Sequence, residues 1–127
     1  MNSMNRNIPG NWLKAVNEGD LNAIMECYDE KAILFATFES KPLTTTEEIR
    51  NYFVGFTARE GAGVRLEDGT LEFHDYGQEG YLATGFYEFY YLENGEEVCH
   101  PARFSFAVKI DQMQKIKHHH SSIIPLS

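Results

Sequence analysis

The chain has little of what stabilises a small secreted fold and little of what binds nucleic acid. Its 127 residues include two cysteines, Cys27 and Cys99, far apart and in no CxxC or metal-ligand spacing. Such a pair reads as two reduced thiols packed as small hydrophobes, not as a disulfide framework. Lys and Arg number 11 against 19 Asp and Glu, for a formal net charge of −8, with no basic stripe to offset it. That balance argues against nucleic acid or an anionic membrane surface as partner. No apolar run approaches membrane-spanning length, and the opening MNSMNRNIPGNW has no apolar signal core. A cytoplasmic protein is the expectation. Repeats, low-complexity stretches and linkers are also missing, so one domain is expected over 8–127 after a polar, disordered 1–7.

What is present divides into a helical half and a strand half. Pro9, Trp12, Leu13 and Val16 form one apolar stripe that stops at Gly19. Asp20 is a good N-cap for a second short helix with Leu21, Ile24, Met25 and Tyr28 on one face. A strand is expected over Ala32–Phe38, broken by Lys41-Pro42. Thr44 with Glu47 and Thr45 with Glu48 offer two capping-box spacings before a helix carrying Ile49, Tyr52, Phe53 and Phe56. Beyond Gly61 and Gly63, strands are expected over Val64–Asp75, Gly80–Leu92, Val98–Ile110 and Met113–Ser122, with Asn94-Gly95 as a strong hairpin signal. Helices first and antiparallel sheet second is the α+β pattern.

In Tyr81–Leu92 both parities are apolar or aromatic. One holds Tyr81, Ala83, Gly85, Tyr87, Phe89 and Tyr91; the other holds Leu82, Thr84, Phe86, Glu88, Tyr90 and Leu92. Helices can cover one face of such a sheet. A second subunit covering the other is the simplest reading, with a curled sheet of half-exposed tyrosines as the alternative.

The last quarter, ARFSFAVKIDQMQKIKHHHSSIIP, carries the candidate chemistry. Together with Gly19-Asp20 and Arg50-Asn51-Tyr52-Phe53, it carries a family resemblance as well. Arg103 on the penultimate strand and the ending His118-His119-His120-Ser121-Ser122-Ile123-Ile124-Pro125 are similar to the His-x-His-x-Ser-x-x-Pro ending of one group in the NTF2-like superfamily. That group is the association domain of calcium/calmodulin-dependent protein kinase II, with stand-alone SnoaL-like and SgcJ/EcaC-type relatives. The resemblance, over about 8–125, implies a cone of curved antiparallel sheet around the helices, a pocket between them, and sheet-to-sheet dimers or rings. It implies no kinase activity. Two other basic pocket positions of the association domain fall on Tyr87 and Ser121 here, leaving Arg103 as the main pocket cation.

The expected ligand-binding set is therefore Arg103, Tyr87, Tyr52, His118 and His120, around a small polar or carboxylate-bearing molecule. Arginine suits this role because its guanidinium forks onto carboxylates, although an ion pair with Glu88 or Glu97 is the alternative. On a strand His118 and His120 share a face and His119 takes the other. The first two are read as donors or bases beside Arg103, or as structural groups at a rim or dimer interface. Two imidazoles without a third ligand make a poor zinc site, so no metal is expected, and no cofactor. His74-Asp75 reads as surface, and His100-Pro101 as an edge feature near the pocket mouth. Trp12, Phe35, Tyr52, Phe53, Phe56 and Tyr87 are expected in the core facing the helices. The rival function is a small cofactor-free isomerase, cyclase or dehydratase of SnoaL or ketosteroid-isomerase type, moving a proton beside a carbonyl. No pocket carboxylate is evident for it, since Glu88 has the wrong parity.

Overall fold

Residues 5–125 are described by a computed structural model of the chain. Helix α1 (Ile8–Glu18) has Pro9 in its first turn and ends at Gly19, whose φ of 65° lets its amide reach back to the carbonyls of the last turn. It buries Ile8, Trp12, Ala15 and Val16. Helix α2 (Leu21–Glu26) starts where the Asp20 carboxylate accepts the Ala23 amide at 3.1 Å. Helix α3 (Thr46–Thr57) opens on a complete capping box: Thr45 accepts the Glu48 amide and Glu48 accepts the Thr45 amide. The box uses the second of the two expected spacings, and it turns Ile49, Phe53 and Phe56 into the core.

Six strands form one curved sheet: β1 (Tyr28–Phe35), β2 (Gly63–Leu66), β3 (Glu72–Asp75), β4 (Gly80–Glu93), β5 (Glu96–Ile110) and β6 (Gln114–Ile123). The order is β1-β6-β5-β4-β2, with β3 also paired to β4. Only β1–β6 is parallel. Asn94 and Gly95, with φ of 55° and 81°, both take the left-handed conformation that a two-residue turn between twisted strands requires. The expected strand Val64–Asp75 is two strands, because Asp68-Gly69 turns the chain and β2 and β3 pair with successive parts of β4. The first strand begins four residues earlier than expected, at Tyr28.

The sheet has an inner face and an outer face. Tyr81, Ala83, Tyr87 and Phe89 of β4 point inward with Ala102, Phe104, Phe106 and Val108 of β5. Trp12 is wholly buried among them, stacked on Tyr87 at 5.5 Å and meeting Phe53, Phe89, Phe106 and His119 edge-on. Asn17 of α1 exchanges two hydrogen bonds with the Val64 backbone, at 2.7 and 3.0 Å, which ties the helix to the sheet edge. Of the leading segment expected to be disordered, residues 1–4 lie outside the described residues. Arg6 pairs with Asp75 at 2.7 Å, which ties the segment's end to β3. Phe35, expected in the core, lies on the outer face and is 39% exposed. Its neighbours Leu34 and Ala36 take the inward positions instead.

Candidate functional site

Five residues were expected around one pocket, but the sheet divides them between its two faces. Arg103 pairs across the sheet with Phe86 and Ser122, on the parity opposite to buried Ala102 and Phe104. It therefore lies on the outer face, exposed, and not in a cavity wall beside Tyr87. The reason is the period of two in β5: bulky Phe104, Phe106 and Val108 claim the core, and Arg103, Ser105 and Ala107 are left outside. Nor does Arg103 pair with Glu88 or Glu97. Arg65 holds both, at 2.9 and 3.0 Å, while stacked 4.1 Å over Tyr90. The contact Arg103 makes is a 3.5 Å approach of its Nε to Ser122 Oγ.

His118 and His120 share the outer face with Arg103, their rings each 5.6 Å from that of Phe35. A groove of about 580 Å³ runs along this face past Thr70, Glu72, Phe86, Arg103, His120 and Ser122. Among the described residues no three His, Cys, Asp or Glu side chains converge to hold a metal ion.

Tyr87 and Tyr52 lie inside with a residue the sequence did not single out. His119 is 1% exposed and sits between two phenols: Tyr28 Oη is 2.8 Å from its Nδ1, and Tyr87 Oη is 3.1 Å from its Nε2. The chain of contacts continues from Tyr87 to Ser121 Oγ at 2.7 Å and on to Thr37, and from the Trp12 indole N–H, which donates to Tyr28 Oη at 3.0 Å. Burial holds the imidazole well below its ordinary pKa, with the neighbouring charges of His118 and His120 adding to the effect. Burial likewise raises the phenols of Tyr28, Tyr87 and Tyr52. The Tyr52 hydroxyl is buried; the Phe38 backbone approaches it, but no hydrogen bond of good geometry is formed among the described residues. Among the described residues no carboxylate hydrogen-bonds to this cluster, which lies between helices and sheet. The larger grooves open elsewhere, on the outer face and between α1, α2 and the β5–β6 turn. His100 lies at the rim, bonded to Tyr91 Oη at 3.0 Å and abutted by Phe38.

The model of the SnoaL-like domain matches residues 10–119. The chain belongs to the SnoaL-like domain family. Solved structures agree with this on the fold. A Xanthomonas campestris protein, provisionally described as a calcium/calmodulin-dependent protein kinase II association domain, superposes with a TM-score of 0.73. The two are 24% identical over 95% of this chain and 86% of that one. A ketosteroid isomerase-like protein from Erwinia carotovora atroseptica gives 0.76 at 11% identity, over 97% of this chain and all of its own. A Streptomyces avermitilis protein, provisionally described as a dehydratase of the NTF2-like family, gives 0.79 at 11% identity, over 94% and 93%. No curated protein matches this SnoaL-like chain. The NTF2-like cone expected from the C-terminal ending is the fold observed. No described helix of the chain is long and apolar enough to cross a membrane.

Proposed function

We propose that this SnoaL-like chain is a self-associating binding domain. The outer face of its sheet meets a second copy, and Arg103 receives a carboxylate there. The observation that carries this reading is the state of that face. Ile33, Phe35 and Phe86 are 37%, 39% and 42% exposed on strands whose backbones are already paired, and the Arg103 guanidinium lies among them with no carboxylate partner among the described residues. An apolar sheet face of this kind marks an interaction surface, and a guanidinium beside it supplies orientation. With a net charge of −8 and the free thiols of Cys27 and Cys99, the reading has the domain in the cytoplasm, with neither nucleic acid nor membrane as partner. Phe35→Glu should leave the circular dichroism spectrum unchanged and give a monomer in sedimentation; a variant that associates like the parent chain rejects the reading. The carboxylate belongs either to a small molecule or to a protein chain. A melting-temperature rise on adding succinate, lost in Arg103→Ala, identifies the first. Loss of association in Arg103→Ala with no carboxylate added identifies the second.

A proton-transfer enzyme is the second reading, favoured by the neutral, buried His119 between two phenols and by the unpaired Tyr52 hydroxyl beside them. In that reading His119 moves the proton and the tyrosine hydroxyls hold an oxyanion. Its test is turnover of carbonyl substrates that is abolished in His119→Ala; a variant as active as the parent chain removes it.

A further inference from the structure

The outer face ends in a charged cluster at one side, Arg65 with Glu88 and Glu97, and in the Lys109–Asp111 pair at the other. Three rows of outward residues cross the sheet between them, centred on Thr84, Ser105 and His120, which are aligned in register. The groove that crosses these rows is lined by one carboxylate and one guanidinium. Glu72 stands beside Thr84 on β3, and Arg103 stands beside Phe86 on β5. Strand β4 runs between them, so they line opposite walls of the same groove, one row apart. Among the described residues neither is in an ion pair.

A face that closes on a second copy of itself does so about a two-fold axis, and then residue i meets j while j meets i. Charges buried in such a contact have to be paired, because a desolvated charge without a partner costs more than the apolar contact returns. Taken together with the self-association proposed above, on which it rests, this leaves Arg103 one carboxylate in the groove that would be covered; Glu67, whose amide bonds the Phe86 carbonyl in the same row as Arg103, lies outside that groove. We infer that Arg103 of each copy pairs with Glu72 of a second copy. The two-fold axis then lies in the interface across β4, between Thr84 and Phe86, and two reciprocal ion pairs set the register of the apolar contact. The expected carboxylate near Arg103 is then a side chain of the same protein and not a free ligand.

Charge reversal of the full chain tests the inference by sedimentation equilibrium. Arg103→Glu and Glu72→Arg should each weaken self-association on the order of 100-fold, since each homodimer sets like charges against one another twice. Mixing the two variants in equal amounts should restore association, because only the mixed dimer has both pairs of opposite sign. The double variant Arg103→Glu/Glu72→Arg should associate as the parent chain does. Both residues are exposed, so all variants should keep the parent melting temperature of the monomer. Single variants that associate normally overturn the pairing and leave the outer-face reading intact. Single variants that dissociate, with no rescue on mixing or in the double variant, also overturn it. Association that depends on a dialysable carboxylate such as succinate overturns it in favour of a small-molecule site. A parent chain that is monomeric overturns both the pairing and the reading beneath it.

Discussion

The two faces of one sheet both carry aromatic side chains and treat them differently. On the inner face Trp12, Tyr87, Phe104 and Phe106 are packed ring against ring and exclude water. On the outer face Phe35 and Phe86 remain about two-fifths exposed beside imidazoles and a guanidinium. Inside, each polar group but one is bonded to another: Tyr28, His119, Tyr87, Ser121 and Thr37 form a continuous chain. Outside, among the described residues, the two charged groups flanking the groove, Glu72 and Arg103, are in no ion pair, and Arg103 approaches Ser122 Oγ at 3.5 Å. The difference teaches that aromatic content alone does not locate a site in this fold. What separates core from surface of contact is whether the polar groups nearby have been satisfied.

The largest effect is expected in the core. Trp12→Ala removes the ring on which four inward side chains converge and should cost about 3–5 kcal/mol in urea unfolding, whereas the same truncation of Phe35 should leave monomer stability within about 1 kcal/mol. Equal losses at the two positions would erase the distinction between the faces. Next in size is the effect of acid. His119 binds its proton less readily folded than unfolded, so the unfolded chain takes up more protons as pH falls through the unfolded value near 6.5. Stability should therefore be full above that pH and decline below it, by up to about 1.4 kcal/mol for each pH unit in that window. Melting curves of the parent and of His119→Asn from pH 7.5 to 5 check this, and a parent whose melting temperature falls no faster than the variant's contradicts it. Smallest is Tyr52→Phe. Removing a buried hydroxyl that approaches the Phe38 backbone without a well-formed hydrogen bond should be neutral or stabilising, by about 1 kcal/mol or less. A clear destabilisation would mean that Tyr52 has a partner, and the inner cluster would then be fully satisfied.

Much of the fold was legible in the chain. The Asp20 cap, the Thr45–Glu48 box, Gly19 and Asn94-Gly95 each fix a local geometry through their own side chain or φ, and each appears where expected. The site was less legible, because a strand shows its period of two without showing which parity faces the helices. In β5 the information was present: large side chains at Phe104, Phe106 and Val108 alternate with Arg103, Ser105 and Ala107, which marks Arg103 as outward. In β6 it was not. Three histidines in a row carry no period, and a register shift at Lys117, opposite Ala107 and Val108, resets the phase between Ile116 and His118. The sequence therefore does not set His119 apart from its two neighbours. Tyr28, its bonding partner, fits the end of a helical stripe by spacing, but is the first residue of β1.

Self-association requires the outer face to be a surface of contact, and sedimentation velocity of the unmodified chain across the micromolar range tests that most directly. The expected result is a species of twice the 14.6 kDa chain mass that dissociates on dilution. A single species of 14.6 kDa at every concentration would contradict it.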